Sequence, residues 1–306
     1  MRVILAEPRG FCAGVDRAIA IVERALEIFG APIYVRHEIV HNRHVVEYLR
    51  NKGAIFVDEL DAIPDNATAI YSAHGVSKAV SSEGERRPLR ILDATCPLVS
   101  KVHREAERLE NEGARIILIG HKGHPEVEGT MGQLQKGRME RISSPEELEA
   151  LSPASSTPVA FITQTTLSVD ETAELVTALK ETFPGIQEPP REDICYATQN
   201  RQNAVKALAG KCDLVLVLGA PNSSNSNRLR EVAERAGTEA KLIESAEDID
   251  TAWLENVETL GITAGASAPE KLVEELLAFL GDRVTTTDTL SVSREAMAFP
   301  LPAALM

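Results

Sequence analysis

The sequence predicts an α/β protein built from three similar small modules, each with a largely parallel sheet. Two observations lead to this prediction. Short apolar runs alternate with amphipathic helical periods along the chain, and this alternation is typical of α/β folds. A weak internal repeat then places one cysteine and two polar clusters at corresponding points of each third of the chain, as a threefold architecture requires.

Strands are expected where apolar residues run without interruption, because a parallel sheet is buried on both faces. These runs are residues 33–35, 69–71, 116–119, 159–162, 214–218 and 260–262, and residues 1–7 add a short strand. Helical periods lie between them, the first of which contains Val15, Ile19, Val22, Leu26 and Phe29 and ends at Gly30. Another runs through residues 272–280 and ends at Gly281. Glycine is the usual residue directly after a helix.

Composition excludes several classes of function. The chain has 306 residues, with 46 acidic and 32 basic side chains and a formal charge of −14. Nucleic acids and anionic membranes attract basic surfaces, so neither is an expected partner. No apolar run approaches the ~20 residues of a membrane-spanning helix, and the short apolar run within residues 1–7 is shorter than the h-region expected of a secretory signal. We therefore expect a cytoplasmic protein, in which cysteines stay reduced.

The repeat has three stations in each module. Cys12, Cys96 and Cys195 each open a helix. A polar cluster follows at the start of a second helix, and a third station follows a later strand. The second stations are residues 41–44, 121–126 and 222–227, and the third stations are residues 72–75, 163–166 and 263–267. The fourth cysteine, Cys212, lies outside this scheme, and we interpret it as a packing residue.

These stations divide the chain into modules 1–95, 96–194 and 195–281, with a C-terminal tail at 282–306 that has no distinctive motif. Strand-to-helix turns lie at the carboxyl ends of parallel strands, where open α/β sheets bind ligands. Three modules around a pseudo-threefold axis would bring all the turns to one centre. We expect a bound cofactor and a substrate at that centre.

The stations suggest chemistry, each with a simpler alternative. Three converging thiolates would hold a metal and leave one position open, although scattered cysteines are more often buried packing residues. Glu126 would donate a proton once its pKa is raised, or would be an ordinary solvated carboxylate. His41, His74 and His124 suit metal binding, acid–base work or anion binding. Any one of them could equally be a hydrogen-bonded structural residue.

Residues 222–227 form an unbroken run of serine and asparagine at a predicted helix start. Exposed N–H groups at such a position attract phosphate. Serine and asparagine are also the favoured helix caps, but six in a row exceed what capping needs. The turn at 265–269 is a weaker signal, because small residues commonly precede a proline at a helix start.

Longer motifs resemble one family, the 4-hydroxy-3-methylbut-2-enyl diphosphate reductases of the non-mevalonate isoprenoid pathway. The matching stretches are residues 8–15, 41–43, 72–76, 93–97, 123–130, 163–168, 194–198, 222–228 and 263–269. They cover the chain from residue 3 to about residue 280, and several are long enough to be specific. No functional position departs from the family pattern.

The resemblance implies a cofactor and a role for each station. Cys12, Cys96 and Cys195 would hold a 4Fe-4S cluster with one open iron for the substrate hydroxyl. Glu126 would supply protons, with Thr165 and His124 assisting at the reacting group. The diphosphate would be held by His41, His74, His124, Ser223, Ser224, Asn225 and Ser267. Two electrons, supplied by ferredoxin or flavodoxin, and two protons would yield isopentenyl and dimethylallyl diphosphates and water.

Two alternatives remain open. Residues 124–126 echo the H-x-E element of zinc deaminases, but the P-C-x-x-C partner of that element is absent from the sequence. An iron–sulphur electron carrier or redox sensor would explain the cysteines, but it would not need the Ser/Asn run or three histidines. Metal content and colour distinguish zinc from a cluster, and a spectral change on adding substrate distinguishes an enzyme from a carrier.

Overall fold

The structure is a computed structural model that describes residues 1–135, 137–151 and 157–306. Its strands are β1 Arg2–Glu7, β2 Ile33–Arg36, β3 Ala54–Val57, β4 Thr68–Tyr71, β5 Arg90–Asp93, β6 Arg115–Ile119, β7 Met139–Ile142, β8 Val159–Thr163, β9 Leu214–Leu218, β10 Glu239–Ile243, β11 Thr259–Ala264 and β12 Thr286–Ser291. Its α-helices are α1 Ala13–Phe29, α2 Arg43–Asn51, α3 Lys78–Arg86, α4 Pro97–Asn111, α5 Pro125–Met131, α6 Pro145–Glu149, α7 Val169–Thr182, α8 Tyr196–Ala209, α9 Ser224–Arg235 and α10 Glu270–Leu280.

The strands form three sheets, and every strand pair within them is parallel. The predicted α/β class with three parallel sheets is therefore confirmed. The chain divides into two compact units. One unit contains residues 1–16, 41–45 and 196–298, and the other contains residues 17–40, 46–195 and 299–306. We call them the first and the second unit.

The first unit contains a five-stranded sheet in the order β10-β9-β11-β1-β12. Side chains of β9 alternate between its two faces. Leu214, Leu216 and Leu218 pack beneath α10, while Val215 and Val217 pack beneath α8 and α9. Both faces are thus buried, which explains why this strand is an uninterrupted apolar run.

The second unit contains the other two sheets, ordered β3-β2-β4-β5 and β7-β6-β8. In the second of these, Ile117 and Ile119 pack against α7, and Ile116 and Leu118 pack against α4. An additional parallel bridge joins Ala160 of β8 to Gln187. Residues around 187 therefore stand where a fourth strand would lie, next to β8.

In each sheet, the cysteine follows the segment that runs beside the strand leading to the third station. Cys96 follows β5, the strand beside β4, and Cys195 follows the segment that runs beside β8. Cys12 follows β1, the strand beside β11. The N-terminal strand therefore completes the sheet of the last module, whereas the predicted division at residue 95 grouped it with the first. That sheet continues into the predicted tail, where Thr286–Ser291 forms β12 on the other side of β1.

The predicted helix ends at Gly30 and Gly281 and the predicted helix starts at three cysteines are confirmed. The first ends at Phe29 before Gly30, which has φ of +76°, and the last ends at Leu280 before Gly281. Cys12, Cys96 and Cys195 each directly precede a helix, as predicted. Among the described residues, no helix is long and apolar enough to cross a membrane.

Candidate active site

The three cysteines of the repeat are held by the same main-chain contact. The N–H of each cysteine donates a hydrogen bond to a carbonyl in the third station, the turn that follows the neighbouring strand. These bonds join Cys12 to Ala266 at 3.3 Å, Cys96 to Ala73 at 3.0 Å and Cys195 to Thr165 at 3.0 Å. The repeat seen in the sequence is therefore also present in the structure, and the shared hydrogen bond fixes the main chain at each cysteine.

The cysteine side chains suit a soft metal or an iron–sulphur group. All three are outside any disulphide in the described residues, are half-buried and directly precede a helix. Burial raises the pKa of the Cys12 thiol, while the N–H of Val15 and the charge of Arg201 act in the opposite direction. Cys212 is also half-buried, but it packs against the apolar core beneath α8, and burial raises its pKa to about 11. Its predicted packing role agrees with this position.

Glu126 is a buried carboxyl group in the first turn of α5, with 3% of its surface exposed. One carboxylate oxygen accepts the main-chain N–H of Thr165 at 2.6 Å, and the other accepts the Thr165 hydroxyl at 3.0 Å. Burial raises the pKa of Glu126 to about 7, although both hydrogen bonds from Thr165 oppose this shift. The nearby charge of Asp193 raises the pKa further. Glu126 is consequently protonated for part of the time near neutral pH.

Two of the predicted histidines lie together, and one of them contacts the main chain of Glu126. The rings of His74 and His124 meet edge to face, with centroids 5.8 Å apart. The Nδ1 of His124 accepts the N–H of Glu126 at 3.2 Å and caps α5. A neutral imidazole that accepts at Nδ1 has its proton on Nε2. His124 is therefore set to donate a hydrogen bond from Nε2.

The remaining polar candidates lie in the first unit, around the start of α9. Ser223 caps this helix, and its hydroxyl oxygen accepts from the N–H and the hydroxyl of Ser226. With both lone pairs used, the hydroxyl proton of Ser223 remains to donate elsewhere. Ser267 donates to the main-chain carbonyl of His41 at 2.9 Å. The Nδ1 of His41 lies 3.4 Å from the amide of Asn222.

Asn225 stands out at this helix start. Its side chain is buried, with 4% of the residue exposed, and neither its amide nitrogen nor its amide oxygen has a hydrogen-bond partner among the described residues. Leaving a buried polar group unpaired costs ~1–3 kcal/mol. Such a residue is more readily explained by a bound ligand than by folding.

Close packing fixes the shape of the same turn. The Ser226 hydroxyl lies between two glycines, and a Cβ added at either Gly219 or Gly265 would come within 2.1 Å of it. Only glycine leaves the space that this hydroxyl occupies. The small residues of the 263–267 turn therefore have a packing function, which the sequence alone did not reveal.

The structure also identifies buried groups that the sequence analysis missed. The Asp193 side chain is fully buried and accepts the N–H of Thr163 at 3.0 Å. Gln164 is 1% exposed and accepts the N–H of His121 at 3.0 Å. Both residues tie strand ends to the loops that contain candidate residues. Gln164 lies within a predicted station, and Asp193 is only two residues before Cys195. Their closeness to candidate residues could therefore have pointed to both of them.

Each unit thus brings together part of the predicted site. The second unit holds Cys96, Cys195, His74, His124, Glu126 and Thr165, and the first unit holds Cys12, His41, Ser223, Ser224, Asn225 and Ser267. Convergence of the two sets on a pseudo-threefold centre stays a prediction. Within residues 1–135, 137–151 and 157–306, no three Cys, His, Asp or Glu side chains are grouped as ligands of one metal ion. A cluster differs from a single ion because each of its thiolates binds its own iron.

Fold and site together define a three-sheet α/β protein in which a cysteine beside each sheet is bonded to a strand-end turn and in which Glu126 is a buried carboxyl group that can hold a proton near neutral pH. The chain matches the family described as LytB protein over residues 3–281. A relative from Magnetococcus marinus named 4-hydroxy-3-methylbut-2-enyl diphosphate reductase is 71% identical over 302 residues, covering 99% of this chain and 98% of the relative. A Bordetella pertussis protein of the same name is 60% identical, with 99% and 93% covered.

Solved structures agree. The structure of the E-1-hydroxy-2-methyl-but-2-enyl-4-diphosphate reductase from Plasmodium falciparum has a TM-score of 0.97 and 37% identity, covering 99% of this chain and 96% of that one. This chain therefore belongs to the LytB family, and the resemblance drawn from its motifs is confirmed.

Proposed function

We propose that this chain reduces 4-hydroxy-3-methylbut-2-enyl diphosphate to isopentenyl and dimethylallyl diphosphates, the last step of the non-mevalonate isoprenoid pathway. The observation that supports it most strongly is the Glu126 carboxyl group. Burial raises its pKa to about 7, so the group can deliver a proton near neutral pH. Removing the allylic hydroxyl as water requires such an acid. Family membership supports the substrate.

Cys12, Cys96 and Cys195 would hold a 4Fe-4S cluster with one iron not bound by cysteine. Their soft sulphur donors fit iron–sulphur chemistry better than they fit magnesium or calcium. When bound, the cluster supplies electrons and a Lewis acid for the hydroxyl oxygen. The chain contributes the anchored loops, because each cysteine N–H is fixed to a neighbouring strand end. Fixed main chains of this kind suit cysteines whose thiolates must bind a cluster in a defined geometry.

Thr165 links the carboxyl group to the substrate. Its hydroxyl donates to Glu126 at 3.0 Å, which leaves an oxygen lone pair to accept a hydrogen bond from the substrate hydroxyl. A proton could then pass from Glu126 to the departing oxygen directly or through Thr165. His124 caps the helix that contains Glu126, so its Nε2 has a fixed direction.

The diphosphate would be held by His41, His74, His124, Ser223, Ser224, Asn225 and Ser267. Neutral donors are expected because the chain has a formal charge of −14 and offers no general attraction to anions. The Ser223 hydroxyl proton and the Asn225 amide supply donors at the start of α9. A helix start adds main-chain N–H groups and a favourable dipole.

Ferredoxin or flavodoxin is the proposed electron donor, and the cytoplasm is the proposed compartment because reduced thiols persist there. The test is anaerobic purification followed by iron and sulphide counts and turnover with a strong artificial reductant. About four irons and four sulphides per chain, together with formation of both products, would support the proposal. A colourless zinc protein, or a cluster protein that does not turn over this substrate, would contradict it.

A further inference from the structure

Three cations repeat in the helices that follow the cysteines. Arg17 lies five residues after Cys12, Lys101 five after Cys96 and Arg201 six after Cys195. Each is therefore on the second turn of the helix that its cysteine opens. None of them belongs to the stations of the sequence repeat, and none has a role in the proposed chemistry.

Lys101 shows what these cations contact. Its ammonium group donates to the main-chain carbonyls of Arg191 at 2.9 Å and Glu192 at 2.8 Å, and to the buried carboxylate of Asp193 at 3.1 Å. These three acceptors lie two to four residues before Cys195. Lys101, on the helix that follows Cys96, thus fixes the main chain just before Cys195.

Arg201 does the same for the first cysteine. Its side chain is 1% exposed, and its guanidinium donates to the carbonyl of Gly10 at 2.8 and 3.0 Å and to that of Phe11 at 3.0 Å. These carbonyls directly precede Cys12. Gly10 has φ of +66°, a conformation that glycine adopts without strain, so the arginine holds a tightly turned segment.

Arg17 completes the series. Its guanidinium donates at 3.0 Å to the carbonyl of Thr95, the residue before Cys96. The order is cyclic, because the helix after each cysteine holds the segment before the next cysteine, and the helix after the last holds the segment before the first. Three independent contacts of this kind at nearly equal spacing exceed what chance surface pairing would give.

The C-terminal segment supports two of the three cations. Glu295 accepts from the Arg201 guanidinium at 3.0 and 3.2 Å, and the carbonyl of Pro300 accepts from Arg17 at 2.9 Å. Asp193 has the corresponding function for Lys101. The segment after residue 281 therefore supplies acceptors for Arg17 and Arg201.

We propose that Arg17, Lys101 and Arg201 are positioning residues that form a cyclic set of clasps, each fixing the main chain in front of the next cysteine. The clasps act through the cysteine loops rather than on the substrate. They hold the loops in the geometry that binds the cluster, a consequence that rests on the proposed function. Hydrogen bonds to charged donors are stronger than neutral ones, which suits this use.

The test is hydrogen exchange on the full-length protein, purified anaerobically, with methionine in place of Arg17 or Lys101 and lysine in place of Arg201. Lys101→Met should speed exchange in the peptide that contains Cys195, and Arg17→Met in the peptide that contains Cys96. The expected increase is about tenfold, since local opening sets the exchange rate. Arg201→Lys keeps a buried charge but loses the forked contact, and it should speed exchange around Cys12.

Matched controls lie on the same helices. Arg24→Met on α1 and Arg108→Met on α4 each remove an exposed cation seven residues after a clasp residue. Neither change should affect exchange at any cysteine. Lys101→Arg should restore most of the protection that Lys101→Met loses. Exchange that rises equally at all cysteines, or equally in the controls, would overturn the proposal.

Release of iron to a chelator supplies a second measurement. It should be about tenfold faster in Lys101→Met than in the parent or in Arg108→Met, because residues supporting metal ligands commonly contribute 10–100-fold to metal retention. Faster exchange at Cys195 with unchanged iron release would overturn the effect on the cluster. A parent protein without any cluster would instead contradict the proposed function, while the exchange pattern would still decide whether the clasps exist.

Discussion

The carboxyl group of Glu126 and Thr165 are joined twice, through the main-chain N–H at 2.6 Å and through the hydroxyl at 3.0 Å. The main chain of Thr165 also accepts the N–H of Cys195 at 3.0 Å. A single residue thus connects the proposed proton donor to one of the proposed cluster ligands. Changes at either end of this connection should have distinct kinetic effects.

Replacing Glu126 with glutamine should retain substrate binding and lose most of the turnover. Glutamine has nearly the same shape and can still accept the Thr165 N–H, but it has no acidic proton. General acids contribute ~10²–10⁴-fold in rate, and we expect a loss in that range. Turnover should be measured with a strong artificial reductant so that electron supply is not limiting. Near-normal turnover would assign the acid role to another group.

The pH profile provides an independent check on Glu126. Burial raises its pKa to about 7, so the carboxyl group is protonated below that pH and ionised above it. If the protonated form is the acid, turnover at saturating substrate should fall as pH rises through about 7. The residual activity of Glu126→Gln should lack this decrease. An unchanged profile in the variant would attribute the decrease to a different group.

Thr165→Val should shift this profile rather than remove it. Valine removes the hydroxyl but keeps the main-chain N–H, and the lost hydrogen bond is one that lowers the pKa of Glu126. The pKa should therefore rise, and the decrease in turnover should move upward by roughly half to one pH unit, because a hydrogen bond contributes ~1 kcal/mol and one pKa unit corresponds to about 1.36 kcal/mol. Thr165→Ser keeps a hydroxyl and should leave the midpoint in place. A downward shift would contradict the assignment.

The sequence predicted every strand that has a neighbour on both sides, together with β8, and missed five strands at sheet edges. The predicted strands correspond to β1, β2, β4, β6, β8, β9 and β11. The missed strands are β3, β5, β7, β10 and β12, and each lies at the edge of its sheet. Edge strands are only partly covered, so four of the five have mixed residues; β12, for example, has no fully buried residue. An uninterrupted apolar run could not reveal those four. β3 is the exception, because residues 54–57 are all apolar and could have been predicted.

The grouping of strands into sheets could not be predicted from the local sequence either. β1 pairs with β11 and β12, more than 250 residues away in the chain, and no local pattern encodes that partner. Likewise, the burial of Asp193 and Arg201 depends on segments that meet only in the folded chain. Charged residues are rarely buried unless paired, so composition favoured solvent exposure for both. The positions of Cys12, Cys96, Cys195 and the Ser/Asn run at helix starts, by contrast, could be predicted, because the local sequence marks where a helix begins.

Iron content should separate the cysteines of the repeat from the fourth one. Serine at Cys12, Cys96 or Cys195 removes a soft sulphur ligand, and each single variant should lose most of its bound iron and its turnover. Cys212→Ala should retain iron, because Cys212 packs in the core, where burial raises its pKa to about 11. Its cost should be confined to a stability loss of ~1 kcal/mol. Loss of the cluster in Cys212→Ala would refute the ligand assignment.

Two asparagines on one helix should respond in opposite ways if Asn225 binds the diphosphate. The amide of Asn225 is buried without a partner among the described residues, whereas that of Asn227 donates to the carbonyls of Pro221 and Ser223. Removing the Asn225 amide relieves an unpaired group, so Asn225→Ala should leave the melting temperature of the ligand-free protein unchanged or higher. Its affinity for the diphosphate substrate should fall about tenfold or more, since each hydrogen bond to a charged group contributes ~1.5–3 kcal/mol.

Asn227→Ala should instead lower the melting temperature, because its amide stabilises the turn before α9 through two main-chain carbonyls. Calorimetric titration and thermal unfolding of both variants measure the two effects separately. A substrate analogue with a free alcohol in place of the diphosphate should bind the parent weakly and should not distinguish Asn225→Ala from it. If Asn225→Ala instead lowered stability and left diphosphate affinity intact, Asn225 would be a structural residue, and the anion would have to be bound by other residues.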